Sequence, residues 1–428
     1  MSWNTNRRGE GTRVWRGVVA LGVVGTLLAA CGSDEKSGST TAAATATTAP
    51  ATATTTTPAA TIAPADTSSA TTAGADTTVA GTDGASGSGL QAAQATVDKY
   101  STVPESISQT VPLKGKPEKK KVGFVVCSDP SCAVFADPMK EATDALGWDL
   151  QLVNSSATDV GAAVQQLIDA GVDYIGMTSP ALSGIPVQAK AMEDAGIELF
   201  QCDLTDTPGG PDNNVYSDCY DSRAAATYVD AEVAWTVVDS GSDAHILAVS
   251  IPSYDILKAE TEAMKVSLAK YCDTCSMDEL DVTIPDLVDA SVPDKIVSYL
   301  QTHTDINYVF FTFSTLDTGV ASALDSSGLA DTVKLFGTQA AEPQLQEVID
   351  GKSAMWQVQP QPYQMWVMVD QMARVAEGTW SVDNERVASD PPFFLVDNAD
   401  LAKQVLLEPA GWPGPDGYQD AFKKLWGV

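Results

Sequence analysis

From residue 121 onward the chain repeats one unit: a short apolar run, a stretch of helical periodicity, then often a glycine. That unit reads as strand, helix and stop. Strands are expected over 122–127, 150–154, 174–178 and 198–202. Helices are expected over 137–146, 160–170 and 185–195, ended by Gly147, Gly171 and Gly196. Repeated strand–helix–strand units cannot close as hairpins, so they imply a parallel sheet with helices on both faces.

The rhythm then restarts. Helices are expected over 221–239, 256–271, 293–302, 318–326, 343–350 and 365–378, with strands over 245–250, 280–284, 308–313, 333–337 and 355–359. The expected fold is α/β, two Rossmann-like lobes of similar size. Ligands of such sheets lie beyond the carboxyl ends of the strands, so two facing lobes place a cleft between two rows of strand ends.

The chain has 428 residues, which suggests roughly two to three domains. Its 56 acidic and 25 basic residues argue against nucleic-acid binding, because a basic face to neutralise phosphates is missing. Two histidines, His245 and His303, leave little room for histidine-based metal or triad chemistry.

The first thirty residues read as a secretion signal. Arg7, Arg8, Arg13 and Arg16 precede an uncharged run, 17–30, that is too short to span a bilayer. It ends Leu28-Ala29-Ala30-Cys31, which resembles the lipobox of bacterial lipoproteins, so Cys31 is the expected lipidation site. Residues 31–89 are expected to be a disordered tether. They are almost all Thr, Ala, Ser, Gly, Pro and Asp, and no aromatic occurs between Trp15 and Tyr100. Such a segment cannot bury enough apolar surface to offset chain entropy, and as a random coil it reaches roughly 40 Å. The glycines at 81, 84, 87 and 89 follow no strand and do not make a nucleotide loop. Residues 90–120 are an extension that begins with a short amphipathic stretch.

Setting Cys31 aside leaves Cys127, Cys132, Cys202, Cys219, Cys272 and Cys275. An even number outside the cytoplasm favours disulfides, though spacing does not fix the pairing. Pairing of neighbours is the expectation: Cys127 with Cys132, Cys202 with Cys219, Cys272 with Cys275. The first pair would stiffen the loop carrying Phe135, and the second would pin Asp203 to a hinge.

Several local sequences carry a resemblance. They are Phe135-Ala136-Asp137-Pro138-Met139-Lys140, Ala145-Leu146-Gly147-Trp148, Ala170-Gly171-Val172-Asp173-Tyr174-Ile175, Ala195-Gly196-Ile197 before a strand ending at Asp203, Glu262-Ala263-Met264, and Asp350-Gly351-Lys352 before a strand ending at Gln359. Their order and spacing over 121–378 resemble the type I periplasmic binding proteins of the ribose-binding-like branch, extracytoplasmic receptors of ABC importers. The resemblance implies three crossings between lobes, near 218–220, 360–363 and 387–392. It partitions the chain into one lobe of 121–218 plus 361–390 and another of 219–360 plus 391–428.

It also implies site residues. Phe135 matches an aromatic that stacks on the ligand, Asp203 a carboxylate and Gln359 an amide. Leu204 stands where an Arg often follows, Glu260 where an Arg normally clamps the ring with Lys258 nearby, Phe313 in place of an Asn and Gln339 in place of an Asp. Two cationic donors are lost and a carboxylate is gained. A sugar or polyol is the favoured ligand. An amine-bearing or heterocyclic ligand is the alternative, because Asp203, Glu260, Phe135 and Phe313 could form an acidic, aromatic pocket. Each residue has a plainer alternative: Phe135 and Phe313 as core, Asp203 as a turn cap, Glu260 on a solvated helix face. Trp356 and Tyr363 read as core.

Rival functions are weaker. The Cys272–Cys275 motif follows a helix rather than opening one, where the dipole does not activate a thiolate. A four-cysteine zinc site would need both lobes to converge. A hydrolase lacks the G-x-S-x-G elbow. A receptor that presents its ligand to a membrane sensor uses the same closure as one serving a permease. The resemblance implies no catalysis and no cofactor; its partners are a small molecule, an ABC permease and, through the lipid, the membrane, and the receptor is expected to be a monomer. The tail 397–428 places Trp412, Tyr418, Phe422 and Trp426 at spacings that suggest an amphipathic helix packed on a lobe.

Overall fold

Among the described residues of the computed structural model, eleven strands assemble into two sheets, one per lobe. The structure describes residues 83–127, 130–156, 159–178, 180–383, 390–406 and 412–428. Cys31, the signal segment and most of the tether lie outside these residues.

A helix, α1 (Asp83–Tyr100), precedes both sheets. It includes residues 83–89, which the sequence reading gave to the tether. In the first lobe, β1 (Lys121–Val126) is followed by α2 (Ala136–Leu146), β2 (Asp149–Asn154), α3 (Val160–Asp169), β3 (Tyr174–Met177), α4 (Pro186–Ala195), β4 (Glu198–Gln201) and β5 (Val215–Asp218). The sheet order is β2-β1-β3-β4-β5, all parallel. Burial on both faces explains why β1 is apolar after the exposed Lys121. Val122, Phe124 and Val126 enter the core on one face, and Val125 joins that on the other. Gly123 shares the second face, where an added Cβ would lie 2.8 Å from the Leu167 methyls. Gly147 and Gly196 close α2 and α4 in the left-handed conformation that favours glycine.

The second lobe repeats this order. It comprises α5 (Ser222–Ser240), β6 (His245–Ser250), α6 (Asp255–Tyr271), β7 (Ser276–Asp281), α7 (Ile284–Val288), α8 (Val292–Leu300), β8 (Tyr308–Phe311), α9 (Val320–Ser327), β9 (Lys334–Gly337), α10 (Glu342–Ile349) and β10 (Met355–Val358). Its sheet runs β11-β10-β9-β8-β6-β7. The added β11 (Phe394–Val396) is antiparallel to β10, pairing Val358 with Phe394. Helix α11 (Gln361–Glu377) belongs to the first lobe, where Met365, Trp366 and Met368 enter the core with Phe124.

The chain therefore passes between lobes after β5, after β10 and again before β11. The segments flanking this body make further passages. Helix α1 packs on α5 and α6 of the second lobe, with Thr96 Oγ1 2.9 Å from the Tyr271 hydroxyl. Ile107 and Leu113 then pack on the first-lobe core. After α12 (Ala399–Val405), Trp412 packs edge-on against Phe394 in the second lobe. The last helix, α13 (Tyr418–Trp426), returns to the first lobe and stacks Trp426 on Trp366 at 5.3 Å. This corrects the partition that gave all of 391–428 to the second lobe. An amphipathic pattern shows that a helix has an apolar face, not which surface covers it.

The returning helix ends on a buried ion pair. Arg374 Nε is 2.8 Å from Asp370 Oδ2, and both side chains are almost wholly buried. Trp426 Nε1 donates to Asp370 Oδ1 at 2.8 Å, and Arg374 donates to the Val111 carbonyl at 2.8 Å. One pair on α11 thus holds both flanking segments.

Among the described residues six cysteines stand in three neighbouring pairs. The Cα separations are 5.7 Å for Cys127 and Cys132, 4.7 Å for Cys202 and Cys219, and 5.4 Å for Cys272 and Cys275. All lie within the span of a disulfide. Cys272 is the C-cap of α6, the wrong end of the helix dipole for an activated thiolate.

Candidate functional site

Parallel strands deliver their following residues to one edge of a sheet, so the carboxyl ends gather side chains that strand apolarity cannot predict. Here that edge is polar and buried in both lobes. Thr178 follows β3, and Gln201 ends β4, with Asp203 two residues on. Ser250 ends β6, Thr312 follows β8, Thr338 and Gln339 follow β9, and Gln359 follows β10. All but Asp203 and Gln339, which are partly exposed, are nine-tenths buried or more. Among the described residues, Thr178 Oγ1, Gln201 Oε1, Asp203 Oδ1, Ser250 Oγ and both amide atoms of Gln359 are buried without a hydrogen-bond partner. Buried polar atoms are ordinarily paired, so several orphans at one edge point to a partner from outside the chain.

Two of these residues are structural equivalents. Asp203 lies two residues past the fourth strand of the first lobe's repeat, and Gln339 two past its counterpart β9. Each has φ of 61°. The left-handed region is uncommon for residues other than glycine, and such backbone clusters at binding loops. The Gln339 amide donates to Gln357 Oε1 at 3.0 Å, which holds this turn against β10.

Behind the strand ends sit carboxyl groups with few partners. Glu260, on α6, is fully buried, which excludes the solvated helix face. Its Oε1 accepts the Tyr220 hydroxyl proton at 2.8 Å, and Oε2 has no partner. Glu232, on α5, accepts from Thr338 Oγ1 at 2.9 Å and leaves its own Oε2 unpartnered. Burial pushes the Glu232 carboxyl up to about 8, with Thr338 pulling the other way. Burial pushes Asp203 up to about 7, partly offset by the Gln364 amide. Glu260 is driven well above the usual carboxylate range by burial, with Glu232 and Asp203 adding repulsion. The Tyr220 hydroxyl is raised by burial first, then by Glu260 and Glu232. Glu232 and Asp203 thus both act on the Glu260 carboxyl. At these values the Asp203 and Glu232 carboxyls hold protons near neutral pH and can donate or accept hydrogen bonds.

The remaining candidates are dispersed. Phe135 is the N-cap of α2 and lies in the first-lobe core. Phe313 is partly buried and packs against the second-lobe core, its carbonyl accepting from the Leu316 amide at 3.2 Å. Trp356 and Tyr363 are core: Trp356 stacks on Phe311, and the Tyr363 hydroxyl bonds Gln109 at 2.8 Å. Sequence reasoning missed Glu232. Its one signal is an acid set between Ala231 and Val233 in the apolar stretch of a helix that also carries Asp230 and Asp239. His245 opens β6 at the amino edge of its sheet, the end away from this site, with Nδ1 2.7 Å from Ser276 Oγ. Two surface depressions, beside Ala92 and Lys270 and beside Ala145 and Lys423, also lie elsewhere.

The hinge packs beside the site. Arg223 makes a two-pronged ion pair with Asp390. The Tyr228 hydroxyl donates to the Pro391 carbonyl at 2.5 Å, and Phe393 packs against both Tyr228 and Tyr100. Trp380 Nε1 donates to the Tyr216 carbonyl at 2.8 Å. Among the described residues no helix is long and apolar enough to cross a membrane.

The architecture has many solved counterparts. The chain is similar to an ABC sugar transporter subunit from Rhodobacter sphaeroides, with 18% identity, TM-score 0.56, and coverage of 65% of this chain and 98% of that one. It is similar to an ABC transporter solute-binding protein from Mycobacterium smegmatis with bound glycerol, at 17% identity and TM-score 0.56, covering 69% and 99%. A 5-methylthioribose transporter solute-binding protein from Thermotoga lettingae matches at 15% identity and TM-score 0.55, covering 74% and 99%. At these identities the likeness speaks for the fold. No curated protein sequence matches the chain. The family model described as a periplasmic binding protein domain matches residues 127–379, more than half of the sequence. With two parallel-sheet lobes and a buried polar edge on each, the chain belongs to the periplasmic binding protein family, whose members are solute receptors rather than enzymes.

Proposed function

We propose that this protein is an extracytoplasmic lipoprotein that captures a small polar solute between its lobes and delivers it to an ABC-type importer. The observation that carries this reading is the set of orphaned buried polar atoms at the strand ends, Gln359 foremost, with both amide atoms unpartnered. A polyhydroxylated ligand would supply the missing donors and acceptors. Solved neighbours with bound glycerol, allitol, D-arabinose or D-allose make polyols and sugars the first class to test. The site residues proposed are Phe135, Asp203, Glu260, Phe313, Gln339 and Gln359, joined by Glu232.

Contacts from both lobes would favour the closed arrangement, with the passages after β5, after β10 and before β11 acting as hinges. Lipid on Cys31 and the tether would keep the receptor at the membrane, and the three cysteine pairs would be disulfides. Binding and closure are tested together by calorimetry against a polyol and sugar panel, with small-angle scattering of the same samples. One-to-one binding with a smaller radius of gyration supports the reading. Anionic ligands as the sole binders, or turnover of any bound compound, would refute it.

A further inference from the structure

Resting on that reading, we infer that the solute carries an organic cation, an amine on a polyol-sized scaffold, held by the carboxyl groups of Asp203, Glu232 and Glu260. Three elements deliver these groups: the turn after β4, α5 and α6. Each keeps one oxygen buried and without a partner, namely Asp203 Oδ1, Glu232 Oε2 and Glu260 Oε2. For the two glutamates the other oxygen is served by a neutral hydroxyl: Tyr220 reaches Glu260 at 2.8 Å and Thr338 reaches Glu232 at 2.9 Å. None of the groups that act on these three carboxyls is a cation. The Arg223 guanidinium, beside the hinge, is engaged with Asp390 and Asp221.

A neutral sugar would leave Glu232 and Glu260 fully buried, and Asp203 partly so, with no opposite charge, an arrangement that persists only while they stay protonated. An ammonium group would let them ionise and would itself receive several acceptors. A metal ion fits less well. Among the described residues no group of three or more His, Cys, Asp or Glu could hold one.

Ionisation on binding means proton release. The groups facing the three acids are Tyr220, Tyr228, Thr338 and Gln364 and the acids themselves, with the Asp390–Arg223 pair beyond Tyr228. None of the tyrosines titrates near neutrality, so affinity for a cation should rise with pH through the range in which Asp203 and Glu232 lose their protons.

The test is calorimetry on the whole mature chain with matched probes whose amines stay largely protonated at both pH values: sorbitol against glucamine, and glycerol against serinol. Each is run at pH 6 and pH 8 and in two buffers of different ionisation heat. The expected result is at least tenfold tighter binding of an amine than of its neutral partner, with protons released and tighter binding at pH 8. Asp203→Asn and Glu260→Gln should each lose at least tenfold for the amine. Neutral probes binding as tightly as amines, or amine binding without proton release, would overturn the inference and leave the receptor reading standing. Failure of every probe to bind would overturn both. The proton count is read on the unaltered protein, so a variant that fails to fold does not blunt the test.

Discussion

The Tyr220 hydroxyl, at the first passage between the lobes, donates to Glu260 Oε1 at 2.8 Å on the second lobe's helix α6. Both side chains are fully buried. Tyr220→Phe removes the one hydrogen bond recorded to that carboxyl and leaves it buried. The expected loss of stability is about 1–3 kcal/mol, the cost of an unsatisfied buried polar group. Urea unfolding at constant pH measures it. Glu260→Gln, whose amide oxygen can still accept from Tyr220, should cost less than Tyr220→Phe.

The raised acids make the ligand-free fold sensitive to alkali. Glu232 moves from 4.5 unfolded to about 8 folded, and Asp203 from 3.8 to about 7. A folded value above the unfolded one means that the native state holds the proton longer. Stability is then fully present below about pH 4 and falls as pH rises toward 8, each unit of difference being worth about 1.4 kcal/mol. The melting temperature should therefore fall between pH 5 and pH 8, and Glu232→Gln should flatten that slope. A melting temperature that rises over the same interval would reverse the sign argued here.

Asp370 anchors the C-terminal helix through Trp426 and the N-terminal extension through Arg374. Asp370→Ala would leave the Arg374 guanidinium buried without its counter-charge. The expected cost is about 3–5 kcal/mol. Limited proteolysis should then cut first near residues 107–113 and in the last helix. Trp426→Phe keeps the apolar stacking on Trp366 and should cost about 0.5–1.5 kcal/mol, the worth of one hydrogen bond.

Cys202 precedes Asp203, and Cys219 precedes Tyr220, so the proposed bridge ties both site residues to one crossing. It would close a loop with a sequence separation of 17 residues, which corresponds to about 3 kcal/mol of chain entropy. Adding a reductant, or replacing both cysteines by serine, should lower the melting temperature and weaken ligand binding together. Reductant without effect on either quantity would show that the thiols are free.

Legibility in the sequence followed burial. Strands such as β1 and β8 are covered on both faces and read as unbroken apolar runs, so they were visible. The edge strand β7 (Ser276–Asp281) was placed instead at 280–284, because its residues are half-exposed and polar. Strand β5, Val-Tyr-Ser-Asp, is mixed in character, and β11 has three residues behind Pro391 and Pro392, so neither offers a run to detect. Helix α7 has five residues, with a capping box between Thr283 and Asp286 as its sequence signal. At the proposed site, Asp203, Glu260 and Gln359 are candidates through the resemblance. Glu232 has no such counterpart, because a mid-helix acid acquires meaning only when the fold shows what buries it.

Native mass spectrometry of the mature protein purified from its own host, followed by denaturation, tests most directly whether this is a receptor that holds a dissolved solute. One noncovalent small molecule per chain is expected, lost on unfolding and recovered intact. Repeated preparations showing only the bare chain, a covalent adduct or a converted compound would contradict it.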